Sequence, residues 1–287
     1  MDYLNIACAQ DLRKKKEKIL YRSLELLPGF LSFFTLFFAL IFSWKKPVWV
    51  GIFIIFFDVY WLLKVLYLSF HQVSAFLKMK KNLRTNWLEK LKKIPNWDKI
   101  YHLVILPFYK EGPEIIEDSL NSILNSNYPK EKIIVVVSGE ERAKENAKKV
   151  REKIEKKFSG KFFALFFTLH PANLPGEIPG KGSNFAFAFE VAKKEISKFG
   201  IFFKNIIVSN FDVDTKPYPD YFACLTYNFL TKENSNLVSF QPIPIYNNNI
   251  WEAPSFSRVV AMSGSFWQMM QQERPEALVS YSSHSIP

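Results

Sequence analysis

Residues 205–214 read NIIVSNFDVD, a short apolar run that ends in two aspartates with one residue between them. Ile206, Ile207 and Val208 in unbroken succession suit a strand covered on both faces, the pattern of a parallel sheet rather than of a half-exposed antiparallel one. In an open α/β sheet, ligands bind beyond the carboxyl ends of the strands, and Asp212 and Asp214 stand at such an end. Two carboxylates spaced in this way can both reach one hard divalent cation, Mg or Mn, which prefers oxygen ligands and in turn neutralises a diphosphate. An ordinary acidic turn is the competing reading. The place of the pair after a buried strand, late in an alternating pattern, favours the cation.

Working outward, the same alternation fills the chain from residue 98 onward. Residues 101–109 (YHLVILPFY), 132–137 (KIIVVV) and 161–169 (KFFALFFTL) read as buried strands, and 236–246 as a fifth. Between them, residues 113–126, 140–158 and 182–199 carry helical spacing, the first with Pro113 where its missing N–H is harmless. Strands alternating with helices imply an α/β fold, a mostly parallel sheet with helices on both faces. Residues 98–287 are therefore expected to form one such domain.

Three further loops follow strands and carry chemistry. Residues 175–184 (PGEIPGKGSN) invite comparison with a phosphate-binding P-loop, but only three residues separate Gly176 from Gly180, and Gly182 stands where Ser or Thr should meet magnesium. What remains is a Gly-rich turn that presents Lys181 and Asn184 at a helix start, a place to hold a phosphate or nucleoside; a plain loop and cap is the alternative. Pro107–Glu111 follows the first strand and Ser138–Glu141 the second; each loop read alone is equally a solvated turn with a helix-start acid.

The N-terminal third differs in kind. Residues 26–44 are 19 positions without a charge, and residues 48–70 are 23 positions with only Asp58 and Lys64 charged. About 20 helical residues cross a bilayer core, so both runs are expected to span it, joined at Lys45, Lys46 and Pro47. Six Lys or Arg precede the first run within residues 13–22 and eight follow the second within residues 71–99, against two in the hairpin, which places both ends and the α/β domain in the cytoplasm, at the plasma (inner) membrane. Residues 1–25 then form a basic cytoplasmic tail. Residues 71–97, with Leu83, Trp87, Leu88 and Leu91 among lysines, are expected to be an amphipathic linker on the anionic leaflet. That position also assigns much of the net charge of +11 to lipid headgroups and not to nucleic acid. An aromatic content of 17% excludes disorder, and two distant cysteines exclude a disulfide framework or a cysteine metal site.

Taken in order, HLVILPFYKE, SLNSILNSNYP, EKIIVVVSGEE, GKGSN and the strand ending in DVD resemble family 2 glycosyltransferases of GT-A fold, in the membrane-bound, cellulose-synthase-like branch. The resemblance implies that Pro107, Tyr109 and Glu111 frame the donor nucleoside and that Glu140 or Glu141 makes a second nucleotide contact, where the family more often has Asp. It implies that Lys181 and Asn184 lie near the nucleotide and that Asp212 and Asp214 bind metal and diphosphate. The activity implied is metal-dependent, inverting transfer from a nucleotide-sugar such as a UDP-hexose to a glycan or lipid-linked acceptor, with the bilayer as a partner and another membrane protein as a candidate one. Two elements of that family, an acidic motif with the general base and a Gln-x-x-Arg-Trp motif, have no counterpart here; Gln271–Arg274 is followed by Pro275. The sequence thus reads as C-terminally incomplete, with the catalytic base unassigned. A membrane protein that binds nucleotide-sugar without transferring it is the alternative, and a nucleotidyltransferase a distant third.

Overall fold

The computed structural model describes residues 8–248, 250–277 and 283–287. The chain divides into two compact units, Met1–Phe70 and His71–Pro287. In the first, α1 (Lys15–Lys45) ends where Lys46 leaves helical geometry, and α2 (Pro47–Leu83) starts again at a proline, which suits a first helical turn. No residue of α1 is buried, and Phe33, Leu40 and Trp44 are 77%, 70% and 91% exposed. Both helices are long and apolar enough to cross a membrane. Their hydroxyls turn back on the helix itself: Ser32 donates to the Pro28 carbonyl, Thr35 to that of Leu31 and Ser43 to that of Leu40. These three hydroxyls of α1 are satisfied within the helix, as a lipid environment demands.

The second unit is an α/β layer structure. β1 (Tyr101–Pro107), β2 (Ile133–Glu140), β3 (Ala164–His170) and β4 (Ile206–Asn210) run parallel, and β5 (His284–Ile286) pairs antiparallel with β4, giving the order β3-β2-β1-β4-β5. Side chains alternate across the sheet. Val104 and Leu106 of β1 face the larger core, with Ile116 and Leu120 of α4 (Pro113–Leu124), Val150 and Ile154 of α5 (Lys144–Phe158) and Phe222 of α7 (Tyr221–Thr231). Leu103 and Ile105 face the other, closed by Ala188, Ala192 and Ile196 of α6 (Lys181–Ser197). The alanines let α6 lie close on the sheet. The α/β class expected from the sequence, with helices on both faces of a mostly parallel sheet and two apolar N-terminal helices, is the class observed.

Two expectations are corrected. Residues 236–246 do not form a strand: Pro242 and Pro244 lack the N–H a ladder needs, and only Phe240 bridges, to Ser285. The place beside β4 is taken by β5, where Ser285 shares a hydrogen-bond network with Ser209 (2.7 Å) and Tyr221 (2.8 Å). The stretch 71–97 is also not a separate surface linker. α2 continues through it to Leu83, and α3 (Trp87–Leu91) buries Trp87 and Leu91 in the larger core, with Trp87 against the Tyr227 ring of α7 at 5.4 Å. Trp87, Leu88 and Leu91 are spent on the domain core, whereas Leu83 stays exposed. The last helix, α8 (Ser255–Glu273), is tied to the end of α2, since Glu273 accepts from Lys78 at 2.7 Å and from Ser74 at 3.0 Å.

Candidate donor-binding cleft

At the carboxyl edge of the sheet, the loops after β1, β2, β3 and β4 surround a cleft of about 320 Å³ lined by Pro107, Phe108, Tyr109, Glu111, Ile115, Glu140, Lys181, Asn184, Asp212, Val213 and Asp214. That volume lies at the lower end of the range for small-molecule sites.

The loop after β4 sets the acidic pair. Phe211 extends the ladder by one bond, its N–H reaching the Ile105 carbonyl at 3.2 Å, and the Thr215 N–H then closes a turn on the Asp212 carbonyl at 2.9 Å. Val213 is buried, and its carbonyl accepts from Ser119 of α4 at 2.6 Å, while Ser122 donates to the Pro217 carbonyl at 3.0 Å. With the middle residue anchored inward, Asp212 and Asp214 both border the cleft. Lys181 donates to Asp212 Oδ1 at 2.5 Å. Ser283, just before β5, accepts from the Asp212 N–H at 3.2 Å and lies 3.4 Å from Oδ2. Asp214 is exposed, and its carboxylate makes no hydrogen bond or ion pair among the described residues.

Lys181 opens α6, so its ammonium and the free N–H groups of the first helical turn face the same space. Asn184, three residues on, is 1% exposed. Its Oδ1 accepts from Ser138 at 2.5 Å, and its Nδ2 donates to the Ser138 carbonyl at 3.0 Å. Thr168 donates to the same Ser138 hydroxyl at 2.5 Å. Asn184 therefore clasps α6 to β2 and β3 and borders the cleft, with its amide already engaged.

The loop after β1 is self-bracing. Glu111 accepts from the N–H groups of Tyr109 (2.7 Å) and Lys110 (3.0 Å), and Asn146 of α5 donates to the Glu111 carbonyl at 3.0 Å. The Tyr109 ring has the Arg142 guanidinium 4.9 Å from its centre. Arg142 also donates through Nε to Glu140 at 2.8 Å, so the buried Glu140 carboxylate is neutralised where it meets the cleft. Glu141 goes elsewhere: it accepts from the Ala172 N–H at 2.9 Å and does not line the cleft. Of the residues singled out in the sequence, Pro107, Tyr109, Glu111, Glu140, Lys181, Asn184, Asp212 and Asp214 come together, and Glu141 stands apart.

Four carboxylates against one lysine, with Arg142 committed to Glu140, make a poor seat for a bare diphosphate. A divalent cation reverses that balance. Asp212 and Asp214 supply hard oxygen donors, but no group of three or more His, Cys, Asp and Glu gathers among the described residues. The donor set fits a cation such as Mg or Mn that completes its shell with phosphate oxygens and water, as these ions commonly do. Sequence reading named Ser138 only as the start of a loop and gave no part to Arg142, Thr168 or Ser283. Ser138 lies near the end of β2 and Arg142 in the turn that follows it, both beside a loop the sequence singles out; Ser283 acts across a separation of 71 residues and left no local signal.

No family profile matches the sequence, and no curated protein matches it. Among solved structures, the chain is similar to a mannosyltransferase from Pyrobaculum calidifontis, solved with GDP-mannose and Mn2+: TM-score 0.41, 17% identity, 76% of this chain and 56% of that one. It is also similar to TarS of S. aureus, at TM-score 0.31 and 14% identity, covering 64% of this chain and 60% of that one. The chain thus spans less than two thirds of the length of either. Both likenesses are distant, and the reading of the cleft rests on its own geometry.

Proposed function

We propose that the cleft is the donor site of a membrane-bound glycosyltransferase of the family 2, cellulose-synthase-like kind, one that takes a nucleotide-sugar such as a UDP-hexose. The observation that carries this reading is the convergence of Asp212, Asp214 and Lys181 with Tyr109 and Glu111 in one cleft at the carboxyl ends of parallel strands. Asp212 and Asp214 would hold a divalent cation, which stabilises charge on the departing nucleoside diphosphate. Lys181 and the first turn of α6 meet the phosphates from the opposite wall. Tyr109 offers a ring beside the nucleoside, and Glu111 and Arg142 hold that ring in place. A hydroxyl of a glycan or lipid-linked acceptor then attacks in line at the anomeric carbon, inverting it. An inserted hairpin with basic flanks at both ends would leave the site on the cytoplasmic side.

The test is equilibrium binding of UDP and GDP to the full chain in nanodiscs, with and without Mn2+. Asp214→Asn is expected to weaken Mn2+-dependent nucleotide binding at least about tenfold, a loss of about 1.4 kcal/mol. Equal affinity in the variant would remove Asp214 from the site and with it the reading. A second reading, donor binding without transfer, draws on one observation: Glu111 and Glu140 are engaged by their own loops, so Asp214 alone lines the cleft as an unengaged carboxylate among the described residues. Release of labelled hexose, or its transfer to added acceptor glycan, distinguishes the two.

A further inference from the structure

The contact at the centre of the cleft is one between its own walls: the Lys181 ammonium sits 2.5 Å from Asp212 Oδ1, on the carboxylate that the donor-site reading gives to a metal. An ammonium and a divalent cation cannot share that oxygen at such distances, because like charges a few ångströms apart in a partly enclosed site repel strongly. The carboxylate of Asp214, two residues on, makes no hydrogen bond or ion pair among the described residues, while its carbonyl accepts from Asn248 at 2.7 Å. The pair is only part-buried, with side chains 32% and 45% exposed, so it is exchangeable and not a fixed strut. Lys181 stands on the first turn of α6 between Gly180 and Gly182, and no atom lies within 4 Å of where a methyl group on either glycine would stand, so its two neighbours do not crowd the loop.

Resting on the donor-site reading above, we propose that Lys181 is a built-in place-holder for the metal: it neutralises Asp212 while the cleft is empty and is displaced when a cation and a nucleoside diphosphate enter together. The cation takes the Asp212 oxygen, and the released ammonium moves to the phosphate, so Asp212 and Lys181 each face an opposite charge before and after. Cation alone must break the Lys181–Asp212 contact without a phosphate to offset its loss; nucleotide alone leaves Lys181 held by Asp212. Each ligand therefore favours the other, and by thermodynamic necessity the factor by which UDP tightens Mn2+ equals the factor by which Mn2+ tightens UDP.

The experiment measures free Mn2+ by electron paramagnetic resonance over the full chain in nanodiscs, titrated alone and with UDP or GDP. Wild type is expected to bind Mn2+ weakly alone and more tightly with nucleotide. Lys181→Met is expected to bind Mn2+ alone about five- to tenfold more tightly, the scale of one partly exposed charge contact, and to lose most of the mutual enhancement. Lys181→Arg, which keeps the charge, should bind Mn2+ alone as weakly as wild type. Unchanged or weaker Mn2+ binding in Lys181→Met would overturn the proposal, as would an arginine variant that behaves like the methionine one. Thermal unfolding of each variant identifies any that misfolds, and the arginine variant then decides alone. The metal-only arm needs no nucleotide, so it still reads the displacement if wild type binds neither UDP nor GDP, the separate result that would sink the donor-site reading.

Discussion

His102 shows what a single buried group costs this fold. It lies on β1, fully buried, with Nε2 2.8 Å from the Thr226 hydroxyl and no partner for Nδ1 among the described residues, enclosed by the rings of Tyr128 and Phe222. Burial disfavours the charged imidazolium and pushes its pKa down to about 3. An unfolded chain takes up that proton near pH 6.5 and the folded one does not. Stability attributable to His102 is therefore intact above pH 6.5 and is lost as the pH falls from 6.5 towards 3. By pH 4.5 the loss is about 2–3 kcal/mol. Thermal unfolding in detergent should show that wild type loses more stability between pH 7.5 and pH 4.5 than His102→Asn does, although the variant starts lower. Equal pH dependence in the two proteins would mean the ring is not the proton-linked group. The cleft residues differ in how visible they were. Asp212 and Asp214 stand just after an apolar run, so strand periodicity located them, whereas Lys181 and Asn184 were found through a Gly-rich turn at a helix start. The Asn184 amide nevertheless closes on Ser138 and Phe108, a fact set by packing between elements and invisible in one stretch of sequence.

At the scale of elements, the parallel strands were legible because each is a continuous apolar run buried on both sides. β5 was not: His284–Ile286 is three residues with a polar centre, and it counts as a strand only because β4 presents an open edge to it. The stretch 71–97 misled because a Trp and leucines among lysines read the same whether their apolar side faces lipid or the domain's own core. The junction of β2 with its neighbours carries a sharper expectation. A methyl group on Gly139 would lie 2.9 Å from Ala147 Cβ of α5 and 3.0 Å from Phe108 Cζ, closer than carbon atoms approach. Gly139→Ala must move either α5 or the loop that holds Tyr109. It is expected to destabilise the domain by about 1–3 kcal/mol, the usual range for overpacking, and to weaken nucleotide binding as well, because Phe108 and Tyr109 are consecutive. Chemical denaturation and UDP binding measured on the same sample check both effects. A stability loss with intact binding would show that α5 gives way and the cleft does not.

For the molecule as a whole, the two units make opposite use of apolar residues. His71–Pro287 buries its own around a sheet, whereas Met1–Phe70 exposes Phe, Leu and Trp along two helices that bury nothing in the stretches long enough to span a bilayer. Exposed apolar surface on that scale is unstable in water, and the net charge of +11, weighted to both flanks of the helices, fixes an orientation if they insert. The chain carries its own reporters for this. Cys8 is exposed ahead of α1, while Cys224 is partly buried, its thiol pushed up to about 11 by burial, so little reactive thiolate is present there at neutral pH. A membrane-impermeant maleimide should label Cys8 in inverted vesicles and not in intact cells. A cysteine replacing Lys46 in the hairpin, tested in a Cys8→Ser background, should show the reverse pattern. Labelling of both positions from the same side would mean that the apolar pair does not span the bilayer. Alkaline extraction then separates the remaining cases: a spanning pair stays with the lipid, whereas a chain held only by its lysines is released when headgroup attraction is lost.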